Sequence, residues 1–242
     1  MDIKTSINNK LQRLLNERPA FHEGETEIGR SFENRESLLS VKAINDIKNG
    51  QARCYGLKKE VLSFIFENAN ESSKTLETGA GCSTLVFALS GAEHIAVTPS
   101  LSEIDLISRY AATHDIAMNK VRFVQESSDQ FLPVSKEDGF DIVLLDGKHA
   151  FPWPVIDWFY TADKLKQGGL MIIDDIEMRS VSMLVDFMKA DTSWEEVNEF
   201  SGQAIVFKKI KQSVHDVAWH MQPFSVTNRY TGMISRIRNL IK

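Results

Sequence analysis

Two short stretches combine residue types and spacings that suit chemistry. The first runs Leu76-Glu77-Thr78-Gly79-Ala80-Gly81-Cys82-Ser83-Thr84, where a carboxylate ends an apolar run and two glycines lead into a small, polar helix start. Gly79 and Gly81 let the backbone turn sharply and let a ligand lie against it with no Cβ in the way. Ser83 and Thr84 can cap the following helix, whose exposed N–H groups favour a carboxylate. The head of a methionine moiety suits such a place, with Glu77 accepting from its ammonium directly or through water. The same pattern also serves as a plain strand–helix turn. A dinucleotide site requires a third glycine and an acid at the end of the next strand. Here Thr84 holds the glycine position and the next strand ends in Thr98-Pro99, which counts against that ligand.

The second stretch is a pair of acidic strand ends. Leu144-Leu145-Asp146-Gly147-Lys148-His149 closes one apolar run, and Ile172-Ile173-Asp174-Asp175 closes another. Charged groups at the mouth of a sheet need partners or water. Asp146, Asp174 and Asp175 can offer hard oxygen ligands to Mg²⁺ or a similar ion, with water and substrate completing the shell. Equally, one of them can cap a helix while another faces solvent. The aromatic segment that follows includes Phe151, Trp153, Trp158, Phe159 and Tyr160. It can line an acceptor pocket, although Trp158 and Phe159 are better suited to packing a helix against the core. His215, Trp219 and His220 could approach from the tail.

These residues need a frame to hold them. Residues 1 to about 70 read as helical, from Leu11, Leu14 and Leu15, from Leu38, Leu39, Ala43 and Ile44, and from a stronger amphipathic helix over 58–69. From Lys74 onward, short apolar runs alternate with helical stretches. Strands are predicted at 74–78, 94–98, 121–125, 140–146 and 169–175, with helices at 83–89, about 102–114 and about 154–166. This alternation implies a parallel sheet covered by helices on both faces. Residues 194–199 and 203–209 read as a closing antiparallel hairpin. The predicted organisation is a helical extension over 1–57, an α/β domain over 58–210 and a tail over 211–242. In the tail, Ile234, Ile237 and Ile241 share a helical face near Arg236, Arg238 and Lys242. Such a helix docks on its own domain or on a second subunit of a homo-oligomer, or else meets a membrane surface.

The bulk properties exclude some classes. A net charge of −5 gives no overall bias toward nucleic acid or anionic membrane. The polar N-terminus lacks the apolar core of a signal peptide, and no uncharged run approaches the roughly 18 residues of a membrane span. Two cysteines, Cys54 and Cys82, make neither a disulfide scaffold nor a zinc site. A cytoplasmic protein without a membrane span is expected.

The segment Leu76–Ala88, read together with LLDGKH and GGLMIIDD, resembles the class I S-adenosylmethionine-dependent methyltransferases over about 74–209. The resemblance implies a doubly wound, mostly parallel seven-stranded sheet with the first and fourth strands adjacent. Gly79, Gly81 and Asp146 would then border one pocket for S-adenosylmethionine. It also points to Ser128 and Asp129 at the adenine. One departure stands out: the family usually ends its second strand on an acid that holds the ribose, whereas this chain offers Thr98 and Ser100, with Glu103 a turn further on.

Within the family, the pattern is most similar to metal-dependent small-molecule O-methyltransferases. These carry an aspartate at the place of Asp146, an acidic or amide pair at the place of Asp174-Asp175, and a basic group at the place of His149. The implied chemistry is methylation of a small-molecule hydroxyl, with His149 as the base and a divalent metal at the three aspartates. Two alternatives are open: a metal-independent transferase using the same cofactor, and a binding module that keeps the fold without the activity.

Overall fold

The computed structural model describes residues 3–22, 56–215, 218, 220 and 222–225. The expected helical positions Leu38, Leu39, Ala43 and Ile44, the C-terminal face of Ile234, Ile237 and Ile241 with its basic neighbours, and Cys54 and Trp219 lie outside the described residues. The elements begin with α1 (Ile3–Glu17) and α2 (Lys59–Asn68). Then come β1 (Lys74–Thr78), α3 (Cys82–Ser90), β2 (Glu93–Val97), α4 (Leu101–Thr113), β3 (Val121–Val124) and α5 (Ser128–Val134). The chain continues through β4 (Phe140–Leu145), α6 (Trp153–Ala162), β5 (Leu165–Ile173), α7 (Arg179–Ala190), β6 (Trp194–Phe200) and β7 (Ala204–Lys209).

The seven strands form one sheet in the order β3-β2-β1-β4-β5-β7-β6. The first five run parallel, and β7 pairs antiparallel with both β5 and β6. The expected adjacency of first and fourth strands is present, with Thr75–Thr78 paired to Ile142–Leu145. The chain leaves β1 toward β2 on one side and returns as β4 on the other. That reversal opens a crevice beyond the carboxyl ends of the strands.

Alternation along the strands divides the apolar residues into two layers. Ile142, Leu144, Ile172 and Val206 face α1–α4, where they meet Leu14, Leu62, Leu85 and Ile107. Val143, Leu145, Ile173 and Phe207 face the other way, onto Leu132, Trp158, Leu184 and Met188 of α5–α7. The leucines of α1 thus belong to the same core as the sheet.

Several elements differ from the sequence expectation, among them the short α5, for which no helix is predicted. Helix α7, with Val181, Leu184, Val185 and Met188 buried at helical spacing, has no counterpart among the predicted elements. Helix α6 ends at Ala162 rather than near Lys166, and β5 begins at Leu165. The cause is a long-range grip. Lys209 Nζ, fully buried at the end of β7, donates to Ala162 O at 2.8 Å and Leu165 O at 2.7 Å. The ammonium satisfies carbonyls that the ended helix leaves open. Burial lowers the Lys209 pKa, against the opposing effect of Asp163.

Replacing Lys209 by Met strips those carbonyls of their donor while keeping the apolar stem. Urea unfolding of K209M is expected to show a loss of about 2–4 kcal/mol.

Candidate active site

The crevice is built on a glycine. Gly79 follows β1 at φ +90° and donates its N–H to Val97 O at 2.9 Å, while Asp146 N–H donates to Thr78 O at 3.1 Å. The end of β1 is therefore held between those of β2 and β4. A Cβ on Gly79 would sit 2.2 Å from Asp146 O, so only glycine allows the two strand ends to converge this closely.

Beyond the bend lies a cavity of about 480 Å³, within the range of small-ligand sites. Gly79, Thr98, Ser128, Asp129 and Asp146, all predicted site residues, line it together. Glu77, Gly81, Ser83 and Thr84 are not among its lining residues. Glu77 is buried behind the bend, where it accepts from the Thr84 hydroxyl and faces His94 Nε2 at 3.1 Å. Thr84 Oγ1 accepts in turn from Gly81 N–H at 3.0 Å, so the threonine caps α3 from its third position, and Gly81 takes the N-cap position. The structure thus gives Glu77 an inward contact that the sequence reading did not include: β2 brings His94 alongside it, and His94 is itself held by Thr75 Oγ1 at 2.8 Å.

Further residues close the cavity. His22, Glu103, Lys148 and Trp153 line it, with the Lys148 ammonium 3.5 Å from the Trp153 ring centroid, a cation–π contact. No local pattern flags His22, because its meeting with Glu103 spans 81 positions of sequence. The Asp129 carboxyl is held below its ordinary range by the Ser127 hydroxyl. Phe151 and Phe159 are exposed and Trp158 is buried, which corrects the pairing of Trp158 with Phe159 as core residues. His215 lies tilted against the Phe159 ring, donates from Nε2 to the Phe159 backbone carbonyl at 2.6 Å and meets Trp158 edge-on.

The acidic strand ends meet at the same mouth. Asp174 extends the β4–β5 ladder through its N–H to Leu145 O and is buried. Asp175 then leaves the strand in the left-handed region at φ +57°, a conformation aspartate tolerates better than most residues. This turn brings Asp175 Oδ2 to 3.2 Å from His149 Nε2, whose distance to Asp146 Oδ1 is 3.7 Å. The compact group is therefore Asp146, His149 and Asp175, with donor atoms within 4.8 Å of one another. His149 takes the place expected for Asp174, because the ladder holds Asp174 in the strand while Asp175 turns away.

Burial pushes the Asp146 carboxyl well above its ordinary range, and the charges of Asp174, Asp175 and Glu77 add to that. Burial lowers the His149 pKa, with Asp175 opposing. The carboxylate oxygens of Asp146 and Asp175, crowded with negative charge, are donors that a hard divalent cation fits, with His149 Nε2 beside them. Beneath them, Asp157 of α6 is buried, and its pKa is raised to about 6 by burial against the Ser128 and Thr78 hydroxyls.

Parallel strands, helices on both faces and a ligand crevice at the reversal of strand order define the Rossmann-like class of α/β proteins. Within that class, residues 76–176 match a family of methyltransferase domains. The matched segment carries the glycine bend and both acidic strand ends. Among solved structures, it is similar to the O-methyltransferase NovP, at 14% identity over 87% of this chain and 100% of that one, with a TM-score of 0.64. It is similar to the O-methyltransferase TomG from Streptomyces achromogenes, solved with S-adenosylmethionine, at 12% identity over 76% and 99% of the two chains (TM-score 0.54). A putative rRNA methylase from Clostridium thermocellum also aligns, at 12% identity over 64% and 96% (TM-score 0.52). Likeness at such identities concerns the fold. No curated protein sequence matches the chain significantly.

Two outcomes test this geometry. Gly79→Ala is expected to lower affinity for S-adenosylmethionine at least about tenfold in calorimetry, since the strained residue must push the Asp146 backbone away. Asp157 keeps its proton to higher pH in the folded state than in the unfolded chain, so the stability it confers at low pH is lost as pH rises through about 6. Relative to D157N, the parent protein is expected to lose up to about 3 kcal/mol between pH 4 and pH 7 in denaturant titrations.

Proposed function

We propose that this enzyme transfers the methyl group of S-adenosylmethionine to a hydroxyl oxygen of a small-molecule acceptor, with a divalent cation such as Mg²⁺ at Asp146 and Asp175. The observation that carries the proposal is the convergence of Asp146, His149 and Asp175 at the mouth of the cavity. A bound cation would supply Lewis acidity, lowering the pKa of an acceptor hydroxyl. Asp174 stands behind the pair and adds negative charge to the site.

The remaining work falls to the chain's own groups. The Gly79 bend gives the amino-acid end of the cofactor close access to backbone, while Thr98 faces the ribose and Ser128 and Asp129 the adenine. Lys148 and Trp153 close the cavity on the acceptor side. His149, kept neutral near pH 7 by burial, accepts the acceptor's hydroxyl proton at Nε2, and Asp175 steadies the imidazolium that results. The acceptor oxygen then attacks the methyl carbon as the carbon–sulfur bond breaks, leaving S-adenosylhomocysteine. Alignment in a site shielded from water supplies much of the rate.

A small organic acceptor suits the negative net charge and the O-methyltransferase neighbours better than RNA does. We take residues 58–210 as the catalytic unit. No helix among the described residues is long and apolar enough to cross a membrane, and the low cysteine content suits a cytoplasmic setting.

Calorimetry with S-adenosylmethionine, with and without Mg²⁺ and chelator, followed by acceptor screening for the gain of one methyl mass, tests the proposal. Absence of cofactor binding leaves only a binding module with this fold; full turnover in chelator leaves the His149–Asp175 pair as the whole catalytic apparatus. Asp146→Ala is expected to abolish transfer while the protein stays folded. His149→Ala is expected to lower kcat by about 10²–10⁴ with cofactor affinity unchanged within about threefold. The acid limb of the parent's rate profile is expected below the ordinary imidazole range; a limb at or above that range, or an unimpaired H149A, excludes His149 as the base.

A further inference from the structure

The second strand ends without an acid, yet a carboxylate still reaches the cavity beside it. Glu103 lies in the first turn of α4 and lines the cavity with Thr98 and Ser100. Ser100-Leu101-Ser102-Glu103 has the sequence of a capping box, in which the glutamate would turn back to the N-cap N–H. Only half of that box is made. Ser100 Oγ accepts from Glu103 N–H at 3.3 Å, but Ser100's own N–H goes to Thr98 Oγ1 at 3.3 Å. The Glu103 carboxylate points elsewhere: Oε2 accepts from the Thr98 hydroxyl at 2.8 Å, and Oε1 meets His22 Nδ1 at 3.1 Å.

His22 is held there by the segment that follows α1. Phe21 is buried and packs edge-on against Tyr110 of α4, with ring centroids 5.9 Å apart. Arg18 donates to Gly56 O and Leu57 O at 2.7 and 2.8 Å. The His22 ring spans the cavity wall, with Nδ1 on Glu103 and Nε2 3.4 Å from where a Cβ on Gly81 would stand. Burial opposes ionisation of Glu103, but the hydrogen bonds from His22 and Thr98 outweigh it and hold the carboxyl below its ordinary range. An ionised carboxylate has about four acceptor positions, more than its side-chain partners His22, Thr98 and Ser100 fill. In α/β nucleotide sites, an acid some 20 residues past the glycine bend accepts from the ribose hydroxyls.

We propose that Glu103 is the acceptor for the ribose hydroxyls of the bound nucleoside, taking the place of a strand-end acid, and that His22 is the positioning residue that holds its carboxylate over the cavity. The inference rests on reading the cavity as the S-adenosylmethionine site. It makes the segment after α1 part of the cofactor wall.

The test is equilibrium binding of S-adenosylhomocysteine and its 2′-deoxyribose analogue to the full chain, read as the ratio of their Kd values. The parent is expected to favour the ribose ligand about 10- to 100-fold, the range for hydrogen bonds to a charged group. In E103A, and in the size-conserving E103Q should E103A fold poorly, the ratio is expected to fall to within about threefold while the deoxy analogue binds as before. H22A is expected to reduce the ratio about threefold, with H22Q restoring part of it. A ratio that survives in E103A and E103Q, or an equal loss of both ligands, overturns the role of Glu103. An unchanged ratio in H22A overturns that of His22. A parent that binds neither ligand removes the cofactor reading itself, a result distinct from either.

Discussion

The close approach of two strand ends is the constraint on which the site depends. Gly79 and the backbone of Asp146 occupy space that leaves no room for a side chain on the first. Parallel pairing of β1 with β4 brings them to one level, and the N–H of Asp146 on Thr78 O locks that level. A single glycine thus sets where the cavity ends and where the acidic cluster begins. The methyl transfer proposed above requires the sulfonium carbon and the acceptor oxygen to be aligned, and this convergence sets the cavity next to the acidic cluster.

Charge is managed differently on the two sides of the bend. Behind it, Glu77 is buried, and its Oε1 meets Thr84 and His94, which braces the loop. In front, burial and the charges of Asp174 and Asp175 raise the cost of ionising Asp146, and the imidazole of His149 lies between Asp146 and Asp175. Clustering of like charge in a crevice, with pKa values driven apart, is a frequent mark of catalytic sites. The stable core beneath bears the cost. Two packed layers cover the sheet, and Lys209 ties the closing hairpin back to α6 and β5.

The fold leaves the acceptor open. Similar folds occur in O-methyltransferases and in a putative rRNA methylase alike. What distinguishes this chain lies in its loops: the Asp-Gly-Lys-His turn after β4, the left-handed Asp175, and the segment carrying His22 over the cavity. These are the parts where chemistry can vary without disturbing the scaffold.

Local pattern in the sequence was enough for the alternating strands and helices, the glycine bend, the strand-end acids and the antiparallel closure, because each depends on periodicity or on conformational freedom within a few residues. The sequence also carries the amphipathic spacing of α7, in Val181, Leu184, Val185 and Met188. The tertiary structure alone decided which side chains share the crevice. Glu77 turns inward because β2 delivers His94 beside it, and His149 joins Asp175 because the ladder holds Asp174 in line. Glu103 faces the cavity because Thr98 and His22 draw it from its helix cap. Each of these choices turns on partners distant in sequence, and a linear pattern carries no record of them.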